Sequence, residues 1–173
     1  LTVLDNVLAG RLSATGMPFG FLGSHLRLFS RDEREQAFAA LCQVGVGEKA
    51  FQRASDLSGG QQQRVAIARV LAQGPDVLLA DEPIASLDPR SATIVMDLLR
   101  EIRESRGMPV VVNLHQVDVA KRYATRIVGM REVRVVFDGP PGDLDPVMER
   151  ALYDGETSES DLPVILKERA CVS

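Results

Sequence analysis

The 173-residue chain is 45% hydrophobic and 25% charged, a size and balance that suit one soluble domain, or a large part of one, with a sizeable core. Its net charge is −4; five acids against two bases after residue 153 supply most of it and leave the remainder at −1, so no basic face exists for nucleic acid. No apolar run approaches the roughly 18 residues that cross a bilayer, which restricts any membrane association to a peripheral one.

The elements follow in chain order. Thr2 to Asp5 forms a capping box, with Asp5 in place of the more usual Glu, and opens a helix through Val7 and Leu8. No signal peptide is visible, and a chain that opens on Leu1 inside an element is expected to be a fragment whose beginning is missing. Residues 13–24, rich in Gly and with Pro18, read as a loop. Ser30, with Glu33 three residues on, caps an amphipathic helix running to about Val44, its apolar positions Phe38, Leu41 and Val44 at helical spacing. Gly45 and Gly47 break that helix. A further helix spans Gln61 to Ala72 and is stopped by Gly74 and Pro75. Val77 to Ala80 is a short apolar run suited to a buried strand, Ser91 to Arg106 a helix closed by Gly107, and Pro109 to Leu114 a second buried strand. Val117 to Tyr123 reads as a helix; Ile127 to Met130 and Val133 to Phe137 read as two strands compatible with a hairpin. Helices alternating with short apolar strands predict an α/β layer with a largely parallel sheet. After Asp154 the pattern fades and an acidic, mobile tail is expected. Cys42 and Cys171 match no metal or redox spacing, as suits a reducing compartment.

The residues that carry chemistry lie in the middle of the chain. Two strands joined by one crossover helix are parallel, so Asp81 and Glu82 at the end of the first and His115 just past the second are expected on the same sheet edge, where ligands of parallel sheets bind. Two acids and an imidazole there suit magnesium, a polarised water and a phosphate oxygen: Asp81 for the metal, Glu82 to polarise the water, His115 to donate to the terminal phosphate. Upstream, LSGGQ at Leu57 to Gln61 places two glycines at a helix start, where backbone N–H groups and the helix dipole favour an anion and the Ser58 hydroxyl adds a donor. Taken alone, Ser58-x-x-Gln61 is equally a capping box that serves only its own helix, and an Asp-Glu pair after a strand is equally a turn. No GxxxxGK[ST] loop for cradling phosphates occurs anywhere in the chain.

Taken together, LSGGQQQR at Leu57 to Arg64, VLLADEP at Val77 to Pro83, SLD at Ser86 to Asp88 and His115 closely resemble the ATP-binding subunit of ABC transporters. The resemblance implies the C-terminal part of a P-loop NTPase (RecA-like) core of α/β class, plus the helical subdomain of that family. It divides the chain into a helical subdomain over 1–60, a partial ATPase core over 61–153 and the tail over 154–173. By the same resemblance Leu57, Ser58, Gly59, Gly60 and Gln61 are the signature motif that binds a partner's ATP, and Asp88 belongs to the D-loop. Asp81 ends the Walker B strand as the magnesium ligand, Glu82 is the catalytic base, and His115 is the switch histidine.

Such subunits carry a Walker A loop and a Q-loop glutamine that this chain lacks, and work as head-to-tail pairs, each ATP clamped between one Walker A and the other's LSGGQ. The implied partners are therefore a second ATPase subunit, transporter membrane subunits and, indirectly, a solute-binding protein, at the cytoplasmic face of the membrane. The stretches LTVLDNVLAGRL, LHQVD and RIVGMREVRVVFDGPP are most similar to the phosphonate importer subgroup, and the loop Met17 to Phe21 is a candidate contact with the membrane subunits. One departure stands out. The family places a glycine in the turn between the last two strands, where this chain has Glu132 and Val133, so a different or strained turn is expected.

Overall fold

The computed structural model describes residues 1–11 and 29–153. The loop predicted over 13–24, with Met17 to Phe21, and the tail after residue 153, with Cys171, lie outside the described residues. The chain forms two compact units, Leu1–Asn113 and Leu114–Ser173.

The first unit opens with helix α1, Val3–Arg11. Its cap is reciprocal, as predicted: the Thr2 N–H donates to Asp5 Oδ2 at 3.0 Å and the Asp5 N–H to Thr2 Oγ1 at 3.1 Å. Helix α2, Arg31–Gln43, starts at a full capping box between Ser30 and Glu33. Helix α3, Gly59–Leu71, starts at the same device between Ser58 and Gln61. These three helices pack on one another around Val3, Val7, Leu8, Ala37, Leu41, Val44 and Ala68. Each fully buried Leu or Val side chain there contributes about 1.5–3 kcal/mol. The seam of α2 differs from the expected one: Ala37, Ala40 and Leu41 face the core, while Phe38 is 41% exposed. Alanines let the helices approach closely, and a Phe at the neighbouring position is pushed to the edge of the contact.

Strand β1, Leu78–Asp81, and strand β2, Val110–Asn113, are joined by helix α4, Pro89–Arg106, and pair in parallel with Leu78 opposite Val110 and Asp81 opposite Asn113. Helices α3 and α4 both begin two residues before their predicted starts, because Ser58 and Asp88 are the caps and each admits two further helical residues. Pro89 at the first helical position needs no N–H partner, and Gly107 closes α4 in the left-handed region at φ 61. Both strands were expected to be buried. In the structure Leu78 is buried, but Leu79 and Val111 on the opposite face are 74% and 57% exposed. Near-continuous apolar runs are the pattern of strands covered on both faces; the described residues cover one.

The second unit contains helix α5, Val117–Tyr123, an antiparallel hairpin of β3, Ile127–Arg131, and β4, Arg134–Gly139, and helix α6, Pro146–Tyr153. Arg126 grips Asp138 through two hydrogen bonds of 2.7 and 2.8 Å across the hairpin's open end. Lys121 of α5 meets Glu149 of α6 at 2.6 Å. Sequence reading missed α6. Its signal was Asp145-Pro146: the Asp145 carboxylate accepts from the N–H groups of Val147 and Met148, both at 2.8 Å, with Pro146 opening the helix. The hairpin turn is the strained one: Glu132 has φ 48 and Val133 φ 63. Two consecutive residues of positive φ match the twist of the flanking strands, and Val is among the residues least suited to that region. Among the described residues no helix is long and apolar enough to cross a membrane.

Candidate functional site

The first unit holds Asp81 and Glu82 of the predicted acid–imidazole group, without His115, and the predicted LSGGQ segment. The first group stands at the carboxyl end of the parallel pair. Asp81 is the last residue of β1, and its side chain is exposed. Its register partner, Asn113, donates from Nδ2 to Asp81 Oδ1 at 2.7 Å. The next residue, Glu82, is exposed and leaves the strand with φ 44, its N–H donating to the Asn113 carbonyl at 3.1 Å. A non-glycine residue held at positive φ costs of order 1–3 kcal/mol and persists where its surroundings enforce it. Here the extra ladder bond to Asn113 holds the amide on one side, while buried Pro83 and Ile84 anchor the chain on the other. Two carboxylates thus leave the sheet edge in succession, and the strained turn at Glu82 sets the second apart from the strand direction.

Asn113 was not singled out from the sequence. The available signal was a polar residue ending an otherwise apolar run, VVVN, but only the register shows that it faces Asp81.

The second group is the start of α3. Ser58 accepts from the Gln61 N–H at 3.4 Å and its own N–H donates to Gln61 Oε1 at 3.0 Å, so the capping box that the sequence allowed is present. It leaves the N–H groups of Gly59 and Gly60 in the first turn without intrahelical partners, since the ladder begins further along. Leu57 is buried and its carbonyl accepts from Gln62 Nε2 at 3.0 Å, which pins the loop leading into the helix. In the next turn of the helix, Arg64 donates to the carbonyls of Val44 and Gly45 at 3.2 and 2.9 Å and ties α3 to the end of α2. A Cβ on Gly59 would stand 3.5 Å from Leu87, so LSGGQ and the SLD turn are neighbours within one unit. Asp88 in that turn caps α4, accepting from the N–H groups of Arg90 and Ser91, both at 3.0 Å. Hydrogen bonds from the Ser91 side chain first, then from the Ser91 and Arg90 N–H groups, hold the Asp88 carboxyl below its ordinary pKa.

His115 belongs to the second unit, exposed in the bend before α5. Among the described residues no three His, Cys, Asp or Glu side chains gather as a metal cage. The exposed carboxylates of Asp81 and Glu82 are oxygen donors of the kind magnesium takes, one or two at a time, with water and phosphate completing its shell.

A family model described as ABC transporter matches residues 1–85. The fold is that of the ABC ATPase cassettes, a P-loop NTPase architecture, and residues 1–85 are similar to the ABC transporter domain. Its likeness then narrows: the chain is 53% identical over 161 residues to the phosphonates import ATP-binding protein of Thiobacillus denitrificans, covering 93% of this chain. The chain spans 61% of that relative's length. Among solved structures, an inward-facing ABC transporter of metal-chelate type superimposes with a TM-score of 0.79 at 28% identity, over 88% of this chain and 58% of that one. A dimeric bacterial ABC transporter cassette superimposes with a TM-score of 0.61 at 34% identity, over 82% and 57%.

Proposed function

We propose that this chain is the signature, Walker B and switch-histidine portion of an ATPase subunit that energises uptake of phosphonate or a related phosphorus oxyanion. The observation that carries the reading is the Asp81-Glu82 pair at the carboxyl end of β1, with Glu82 held at φ 44 by Asn113. A sharp, enforced turn between two exposed acids gives them different tasks. Asp81, steadied by Asn113, is the residue to hold magnesium, directly or through water; the ion would neutralise charge on the transferred phosphoryl group. Glu82 orients and polarises the attacking water, a role that contributes roughly 10² to 10⁴ in rate. His115 donates to the terminal phosphate. Leu57 to Gln61 present the Ser58 hydroxyl and the Gly59 and Gly60 N–H groups to the phosphate of an ATP bound by a second subunit, and Asp88 shapes the neighbouring turn.

The dimeric cassette among the similar structures supports a head-to-tail pair of ATPase subunits, and the name of the Thiobacillus relative supports the phosphonate assignment. Membrane subunits and, through them, a solute-binding protein complete the proposed assembly at the cytoplasmic face of the membrane. Residues 1–60 serve as the helical subdomain of that assembly and 61–153 as part of its ATPase core. Because the 173 residues contain no GxxxxGK[ST] loop, the chain by itself neither holds ATP tightly nor turns it over, and alone it acts only as a non-catalytic pairing module.

The test is Glu82→Gln in the full-length subunit. ATP binding should persist while magnesium-dependent turnover falls by at least about 10², with the closed dimer accumulating. Steady-state hydrolysis that matches the unmodified protein removes Glu82 from the role of base.

A further inference from the structure

Gly60 lies in the first turn of α3 and is buried. Its backbone does not require glycine: the positive-φ glycines among the described residues are Gly45, Gly74 and Gly107, and Ala is the better helix former. What excludes a side chain is Ser91 in the first turn of α4. A Cβ on Gly60 would stand 2.8 Å from Ser91 Cβ and 2.8 Å from Ser91 Oγ. Rotating the hydroxyl relieves only one of these, because Cβ is fixed to the helix. Ordinary carbon contacts lie at about 3.5–4.0 Å, so one helix start would have to retreat by roughly 1 Å. Ser91 is in turn bound to Asp88, whose carboxylate takes the Ser91 N–H at 3.0 Å. The second glycine of LSGGQ therefore abuts the residue that holds the SLD turn in place.

We propose that Gly60 is a positioning residue: by carrying no side chain it seats the start of the signature helix directly on Ser91, and so fixes LSGGQ and the Asp88 turn to each other within one subunit. This rests on the ATPase reading above for its catalytic consequence, while the contact itself stands apart from it. Two groups that face nucleotide from one subunit then move as one body, and a displacement of about 1 Å between them is enough to lower turnover by about 10²-fold.

The experiment is a cycle of Gly60→Ala, Ser91→Gly and the pair, the single Ser91→Gly variant giving the baseline for loss of its hydroxyl. In the 173-residue chain, amide hydrogen exchange at Arg90 and Ser91 should quicken in Gly60→Ala and return to the Ser91→Gly level in the double variant. In the full-length subunit Gly60→Ala should lower kcat by roughly 10- to 100-fold with KM for ATP changing far less, and the defect should shrink to within about threefold in the Ser91→Gly background. Equal exchange in all variants, or a Gly60→Ala defect of the same size in both backgrounds, overturns the inference. If the unmodified full-length subunit shows no turnover, the ATPase reading fails, and the exchange cycle alone decides whether Gly60 and Ser91 are coupled.

Discussion

The turn at Glu132-Val133 offers a perturbation whose sign follows from the backbone alone. Val133 sits at φ 63 with 94% of its surface exposed, so replacing it removes almost no packing. A Cβ-bearing residue in the left-handed region costs about 1–2 kcal/mol, and the branched Val belongs at the upper end. Val133→Gly removes that cost, while the greater freedom of Gly in the unfolded chain takes back about 0.4–1 kcal/mol. The net expectation is a stabilisation of about 0.5–1.5 kcal/mol. For a chain of this length each kcal/mol moves Tm by about 2–4 °C, so thermal unfolding should shift upward by roughly 1–6 °C. Val133→Asn should also stabilise, since Asn tolerates this region, whereas Val133→Ala keeps its Cβ and should change little. The Ala control separates backbone relief from mere loss of an exposed apolar group. A Tm that is unchanged or lower in Val133→Gly, or an Ala variant that gains as much as Gly, refutes the strained two-residue turn.

Two further expectations concern the caps beside the candidate site. The Asp88 carboxyl lies below its ordinary 3.8, so its contribution to stability is present above the unfolded-state value and is lost as pH falls through the lower folded one. Denaturation by urea from pH 7 to pH 2 should show the unmodified chain losing stability relative to Asp88→Asn only below about pH 4, since Asn caps without titrating; parallel curves would dismiss the cap as a pH-linked element. At the other helix start, Ser58→Ala should cost about 1 kcal/mol through the lost cap, whereas Ser58→Asp should preserve stability. If Ser58 also faces a phosphate, Ser58→Asp in the full-length subunit should still abolish most turnover by like-charge repulsion, and intact hydrolysis in that variant would confine Ser58 to capping.

Much of the architecture was legible because its determinants are local. The boxes Thr2-Asp5, Ser30-Glu33 and Ser58-Gln61 each close within three residues, and all three are formed. Helix α5 keeps its predicted bounds, and the hairpin's difficulty at Glu132 and Val133 was visible as the absence of glycine. Where local reading failed, a neighbour distant in sequence decided. Phe38 has the right helical spacing, yet the closer fit of Ala37 and Ala40 against the adjoining helices leaves it at the rim. Leu79 and Val111 look like core residues and are exposed because the described residues supply only one covering layer.

From the sequence by itself came the α/β class, the parallel order of β1 and β2, the signature and Walker B segments, and the identity of Asp81, Glu82, Ser58 and Asp88 as candidates. Periodicity, capping and strand-crossover handedness act over a few residues or follow from chain direction, so they survive without coordinates. Only the tertiary structure brought Asn113 against Asp81, turned Glu82 through positive φ and set Gly60 against Ser91. Those three depend on strand register and helix approach across about 30 residues of intervening chain, distances at which side-chain packing, and no local preference, selects the geometry.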